Sequence, residues 1–130
     1  MIWPNISPAK LHEKVMDSFI HCATPDGGKQ KKTYINSVYD RQVWSGTSFD
    51  FALTACHVAE MEGARASYAE GSIPLPNGGR IKCGFCIYNG HIICAMLPVA
   101  MPVDVMMGFH WSFGLPVDFR HIDWSQCRFA

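Results

Sequence analysis

The chain has no surplus of charge in either direction: lysines and arginines number 11, and aspartates and glutamates also number 11. Without a net field it has no long-range pull on nucleic acid or an anionic membrane, and it is equally unsuited to imitating a polyanion. It has no apolar run near the roughly 18 residues that a membrane span requires. Its opening, MIWPNISPAKLHEKV, lacks the basic lead and apolar stretch of a secretory signal. These absences lead us to expect a cytoplasmic protein. There is also no phosphate-cradling glycine loop, Gly-x-Ser-x-Gly elbow, dinucleotide fingerprint or diagnostic carboxylate pair. No cofactor is therefore expected, and no internal repeat or low-complexity segment interrupts the chain.

What remains is 130 residues of globular composition, read as a single domain over 1–130 that can bury a core without disulfides or metal. With 48% hydrophobic and only 17% charged residues, the surface is expected to be sticky, with a homodimer among the assemblies this allows. The six cysteines read as reduced thiols buried like small hydrophobes, because the expected compartment is reducing.

The strongest local signal is Asn89-Gly90 between RIKCGFCIY and HIICAMLP. Both residues tolerate the positive φ of a type I′ turn, so a two-residue hairpin is predicted. Its register pairs Tyr88 with His91, Ile87 with Ile92, Cys86 with Ile93, Phe85 with Cys94 and Cys83 with Met96. One face then carries Ile81, Cys83, Phe85, Ile87, Ile92 and Cys94. The other carries Lys82, Gly84, Cys86, Tyr88, His91 and Ile93, so the second strand is apolar on both sides and reads as central.

Elsewhere, Ser7-Pro8 starts a helix expected to run to about Cys22, with Leu11, Val15, Phe19 and Cys22 at helical spacing. Lys29 to Lys32, KQKK, reads as a solvated loop. Thr33 to Tyr39 favours a strand, although Ile35, Val38 and Tyr39 also fit one helical turn. Thr47 and Asp50 have the spacing of a capping box ahead of a helix over Ser48 to Ala64. That helix should turn Phe49, Ala52, Leu53, Cys56 and Gly63 inward, with Gly63 suited to close approach. Gly71 to Gly79 reads as a connecting loop, Phe109 to Phe113 as a short strand and Val117 to Trp124 as a last strand.

Three chemistries bear on the cysteines, histidines and carboxylates. Cys83-Gly-Phe-Cys86, with Cys56 and His57 upstream, is similar to the ligand spacing of zinc-dependent nucleoside deaminases. The likeness breaks where Val58 and Ala59 separate His57 from Glu60 and where Lys82 replaces a proline, and strand alternation points the two cysteines to opposite faces. No metal ligands are assigned. A thiol nucleophile would need a thiolate with histidine in reach, and neither Cys56 beside His57 nor Cys22 beside His21 offers that locally. A pair assembled by folding stays open. The acid and histidine groups around Asp50, His57 and Glu60, and around Asp118 and His121, read as surface polarity, and no catalytic residue is named.

The remaining chemistry is a contact surface built from Tyr88, His91, Trp44, Trp111 and Trp124, with the Gly71 to Gly79 loop capping any small-ligand pocket. The expected architecture is α+β: two helices packed on a mainly antiparallel sheet of four to five strands with a central hairpin. The function read from it is that of a small non-catalytic binding protein, of inhibitor or regulator type, that occupies a protein partner's surface or sequesters a small ligand. A cysteine- and histidine-dependent hydrolase or transferase is the alternative, and a zinc deaminase-like enzyme stands behind both.

Overall fold

The computed structural model describes residues 5–22, 31–122 and 127–129. Helix α1 (Pro8–Met16) opens as the Ser7-Pro8 pair dictates, with the Ser7 hydroxyl accepting the Lys10 amide at 3.2 Å. It ends well short of Cys22. Residues Phe19–His21 instead form strand β1, parallel to β3 (Trp44–Gly46). The Phe19 ring lies 4.8 Å from both Trp44 and Phe51, so it makes its core contact from a strand rather than a helix.

Between these strands lie β2 (Lys31–Thr33) and α2 (Ile35–Tyr39). The β-rich composition of Thr33 to Tyr39 is overridden because its amides find side-chain and helical acceptors, and one turn suffices to bury Val38. Lys31 and Lys32 belong to β2 rather than to a solvated loop, and Lys31 Nζ sits 3.2 Å from the Glu70 carboxylate. Lys29 and Gln30 lie outside the described residues.

Helix α3 (Ser48–Met61) begins on the capping box: Thr47 Oγ1 accepts the Asp50 amide at 3.2 Å, and Asp50 Oδ2 accepts the Thr47 amide at 3.0 Å. It stops before Gly63, whose φ of +78° is the left-handed conformation of a helix C-cap. Gly63 therefore ends the helix and plays no part in close packing. Every residue from Ser48 to Cys56 is buried, so α3 is covered on both flanks, where the sequence pattern implied one. Its second flank is polar. Asp50 Oδ1 accepts the Lys32 amide at 2.7 Å, Thr54 Oγ1 accepts the Tyr34 amide at 3.0 Å, and His57 Nδ1 and Thr33 Oγ1 bond at 3.1 Å.

The main sheet is mostly antiparallel: β4 (Ser67–Pro74), β5 (Arg80–Tyr88), β6 (His91–Ile93), β7 (Met101–Pro102) and β8 (Ser112–Phe113), in the order β7-β6-β5-β4-β8, with β9 (Val117–Asp118) also on β4. This is an α+β fold, with α4 (Val103–Gly108) and α2 added as short helices. The hairpin pairs Tyr88 with His91, Ile87 with Ile92 and Cys86 with Ile93 across Asn89 (φ +49°) and Gly90 (φ +71°). Past Ile93 the chain turns, with the Leu97 amide on the Cys94 carbonyl, so the last two expected pairs do not form.

Three expected loops and strands change. Residues 71–74 are the end of β4, with Pro74 at its terminus and only 75–79 turning. Gly71 is needed there because a Cβ would lie 1.9 Å from the Ser112 carbonyl oxygen. Phe109 follows α4, and only Ser112–Phe113 extends. After Val117–Asp118 the Asp118 carboxylate accepts the Arg120 amide at 2.9 Å and starts a 3-10 turn over Phe119–His121. Strand β10 (Cys127–Phe129) runs parallel to β2.

Two tests follow. Asp50→Ala should cost about 2–3 kcal/mol in urea unfolding, since a buried carboxylate holding two amides is lost, while Asp104→Ala should shift stability by less than about 0.5 kcal/mol. Buried His12, whose Nε2 donates to the Cys94 carbonyl at 3.0 Å, has its pKa lowered from 6.5 by burial, against the pull of its backbone bonds. His57 is lowered in the same direction, again chiefly by burial. The unfolded chain therefore takes up protons first, and stability should fall as pH drops below 6.5. His12→Gln should make the fall of the urea midpoint between pH 7.5 and 5 shallower, leaving the part that His57 contributes.

Candidate functional site

A cleft of about 320 Å³ opens at the amino end of α3. Four stretches of chain meet there: His21 at the end of β1, Ser48 and Phe49 at the start of α3, Ile81 to Cys83 at the start of β5, and Met96 after β6. Residues this far apart converge because β1 is held beside β3, with the Cys22 amide on the Gly46 carbonyl at 2.8 Å, and because β5 carries glycine where it meets α3. A Cβ at Gly84 would lie 2.8 Å from the Phe49 Cα.

Phe49, Ile81 and Met96 are the apolar wall, and the buried Ser48 and Cys83 are the polar floor. Ser48 Oγ accepts the Gly84 amide at 3.4 Å. Burial pushes the Cys83 thiol up, and its hydrogen bond with Ser48 draws it partly back. Lys82 stands at the mouth, its Nζ 3.6 Å from Glu70, and His21 is exposed beside it. A second, larger hollow of about 580 Å³ lies between α1 and α2, where Asp17 and Arg41 line it beside lysines that are already paired. Lys14 meets Glu62 at 2.9 Å and lies over Tyr39, and Lys10 lies 3.6 Å from Glu13.

The other thiols are placed for packing. Cys56 is buried and raised by desolvation first and by its bond with Cys86 second, while burial takes Cys94 up to about 12. His57 is turned to Thr33 and to the Phe119 ring at 5.3 Å, away from any thiol role with Cys56. Asp50, like Thr54, is a buried partner of β2 and its neighbour, a correction to the reading of Asp50 as surface polarity. Cys83 and Cys86 fall in the two separate core clusters on opposite faces of β5. Among the described residues no group of three or more His, Cys, Asp or Glu is placed to hold a metal ion.

The aromatic contact candidates are dispersed. Tyr88 is buried, its hydroxyl donating to the Ile6 carbonyl, and Trp44 is buried against Phe19 and stacked on Tyr34 at 4.7 Å. His91 is half-buried at the hairpin, its Nδ1 donating to the Asn89 carbonyl at 2.8 Å. Trp111 is half-buried over the far face of the sheet, 5.7 Å from Phe85. Trp124 lies outside the described residues. Sequence reasoning passed over His21, Ser48 and Lys82. The capping box did mark Ser48 as the first helical residue, but nothing local placed β1 beside it.

Compared with protein-family models, curated proteins and solved structures, the chain matches none. Among the described residues no helix is long and apolar enough to cross a membrane.

Iodoacetamide at pH 7.5 should alkylate the exposed Cys22 at least about tenfold faster than Cys83, because burial keeps Cys83 a thiol. Peptide mass spectrometry gives both rates, and a Cys83 rate matching or exceeding that of Cys22 refutes the assignment.

Proposed function

We propose that this is a small, non-catalytic, cytoplasmic binding protein that sequesters an amphipathic small molecule in the cleft at the amino end of α3. One observation carries this reading: the cleft combines an apolar wall of Phe49, Ile81 and Met96 with a few convergent polar groups, Ser48, Cys83, Lys82 and His21. Its volume and mixed lining match those of small-molecule sites, in which apolar surface supplies affinity and a few placed polar groups supply orientation. Lys82 and Lys31 share the single carboxylate of Glu70, and the positive charge left over favours a ligand with an anionic end and an apolar body. The free state of Cys22, Cys56, Cys83, Cys86 and Cys94 agrees with a reducing compartment.

The second reading, a cysteine- and histidine-dependent hydrolase or transferase, draws support from the same cleft, because Cys83 and His21 both line it. Against it stands the raised pKa of the Cys83 thiol, which leaves little thiolate for attack at neutral pH. Binding of anilinonaphthalene sulfonate, an apolar anion, tests the cleft, and ester turnover separates the two readings. Lys82→Glu should weaken its binding about tenfold, and Met96→Trp, which fills the cleft, should abolish it with the far-UV circular dichroism unchanged. Unaltered binding in both variants would sink the cleft reading. Turnover of p-nitrophenyl acetate that disappears in Cys83→Ala would transfer the assignment to the hydrolase.

A further inference from the structure

The far face of the sheet, the one turned away from α3, is thinly covered. Its buried residues are Ile73, Cys83, Phe85, Ile92, Cys94 and Leu97, and the segment that covers them must pass from β7 at one edge to β8 at the other. Residues 103–111 make that crossing, and α4 supplies the first six of them. At 1.5 Å per residue it spans roughly 9 Å, whereas five strands spaced at about 4.8 Å are roughly 19 Å across. Only Met106 of α4 is buried. The consequence is a face left half open, with Ile87, Met101, Val103, Trp111 and Phe113 only partly covered.

The outer surface of the same segment is also apolar. Val105 is 39% exposed, Met107 59%, Phe109 65% and Leu115 89%. Residues 101–117, MPVDVMMGFHWSFGLPV, contain a single carboxylate, Asp104, and no lysine or arginine. The hairpin tip adjoins it, since the Val103 amide donates to the Gly90 carbonyl at 2.9 Å and His91 pairs with Pro102.

We infer that this face is covered in solution by the same face of a second copy of the chain, forming a two-fold symmetric dimer. Chemistry selects that occupant. Contacts that form and dissolve are about as polar as ordinary surface, whereas permanent homodimer contacts are apolar, poor in charge and rich in methionine and aromatics. Residues 101–117 have that second character, with Met101, Met106, Met107, Phe109, Trp111 and Phe113. Of the 22 residues in 101–117 and 87–91, Tyr88 and Met106 are buried, which leaves 20 with exposed surface, against the roughly 20–30 a side of a standard interface. A two-fold contact is self-complementary, so a charge-poor strip meets a charge-poor strip, and the balanced net charge of 0 gives the two copies no long-range repulsion. Nothing in this pairing requires a ligand in the cleft.

Light scattering on the full chain at about 50 μM should give twice the 14.5 kDa of one copy. The double variant Met107→Glu, Phe109→Glu should scatter as one copy with circular dichroism intact. Met61→Glu, at an exposed apolar residue at the end of α3, should leave the dimer in place. A wild-type chain that is monomeric at that concentration overturns the proposal, and so does a double variant that remains dimeric or a dimer lost on Met61→Glu alone. Lys82→Glu, which alters the cleft and not this face, should remain a dimer, so the failure of the cleft reading and the failure of the dimer are read separately.

Discussion

The polar flank of α3 is the constraint on which the rest of this fold depends. A buried helix ordinarily meets its neighbours through apolar side chains, and a strand ordinarily spends its amides on another strand. Here Asp50, Thr54 and His57, four and three residues apart, hold consecutive residues 32–34: Asp50 and Thr54 accept the Lys32 and Tyr34 amides, and His57 bonds to the Thr33 hydroxyl. The helix thus stands in for part of a strand partner. Because Asp50 also closes the capping box, the same carboxylate starts α3 and anchors β2. Removing it leaves buried amides without acceptors at both places, where the cost per group exceeds the ordinary net worth of a hydrogen bond.

That arrangement accounts for how the chain divides into two layers. With its polar flank committed to residues 32–34, α3 has its other side free for the sheet, where Phe49, Ala52, Leu53 and Cys56 join Tyr68, Cys86, Tyr88 and Ile93 in one core. The remaining apolar residues of β5 and β6 face the other way and form a second core, covered in part by α4 and the residues after it. One strand therefore contributes to two cores, and its alternating residues, including Cys83 and Cys86, belong to different ones. Cysteine in such positions behaves as a small hydrophobe whose reactivity is suppressed by the absence of water around it.

What could be read from the sequence was what short-range chemistry decides. Asn89-Gly90 set the hairpin and its first three pairs, Thr47 and Asp50 marked the start of α3, and Ser7-Pro8 the start of α1. Local patterns misled wherever a distant partner decided the outcome. Thr33 to Tyr39 looks extended by composition, yet the Tyr34 amide is taken by Thr54, twenty residues away. Phe19 fits the phase of α1 but pairs with Trp44. Gly71 and Pro74 look like loop residues, but one admits the Ser112 carbonyl and the other sits where β4 ends. The cleft was illegible for the same reason, since its walls come from segments that no spacing rule links.

Gly84 acts as a thickness gauge for the molecule. The separation between α3 and β5 is set by the absence of one methyl group, because Phe49 and the Tyr68 hydroxyl already occupy the space a side chain would need. Residues 82 and 83, immediately before it, and 48 and 49, across from it, are the ones that bound the cleft. The mouth of the cleft and the seating of the helix are therefore one dimension, not two. A lineage that enlarged residue 84 would have to lift the start of α3, and would thereby recut the cavity without changing a single residue that lines it.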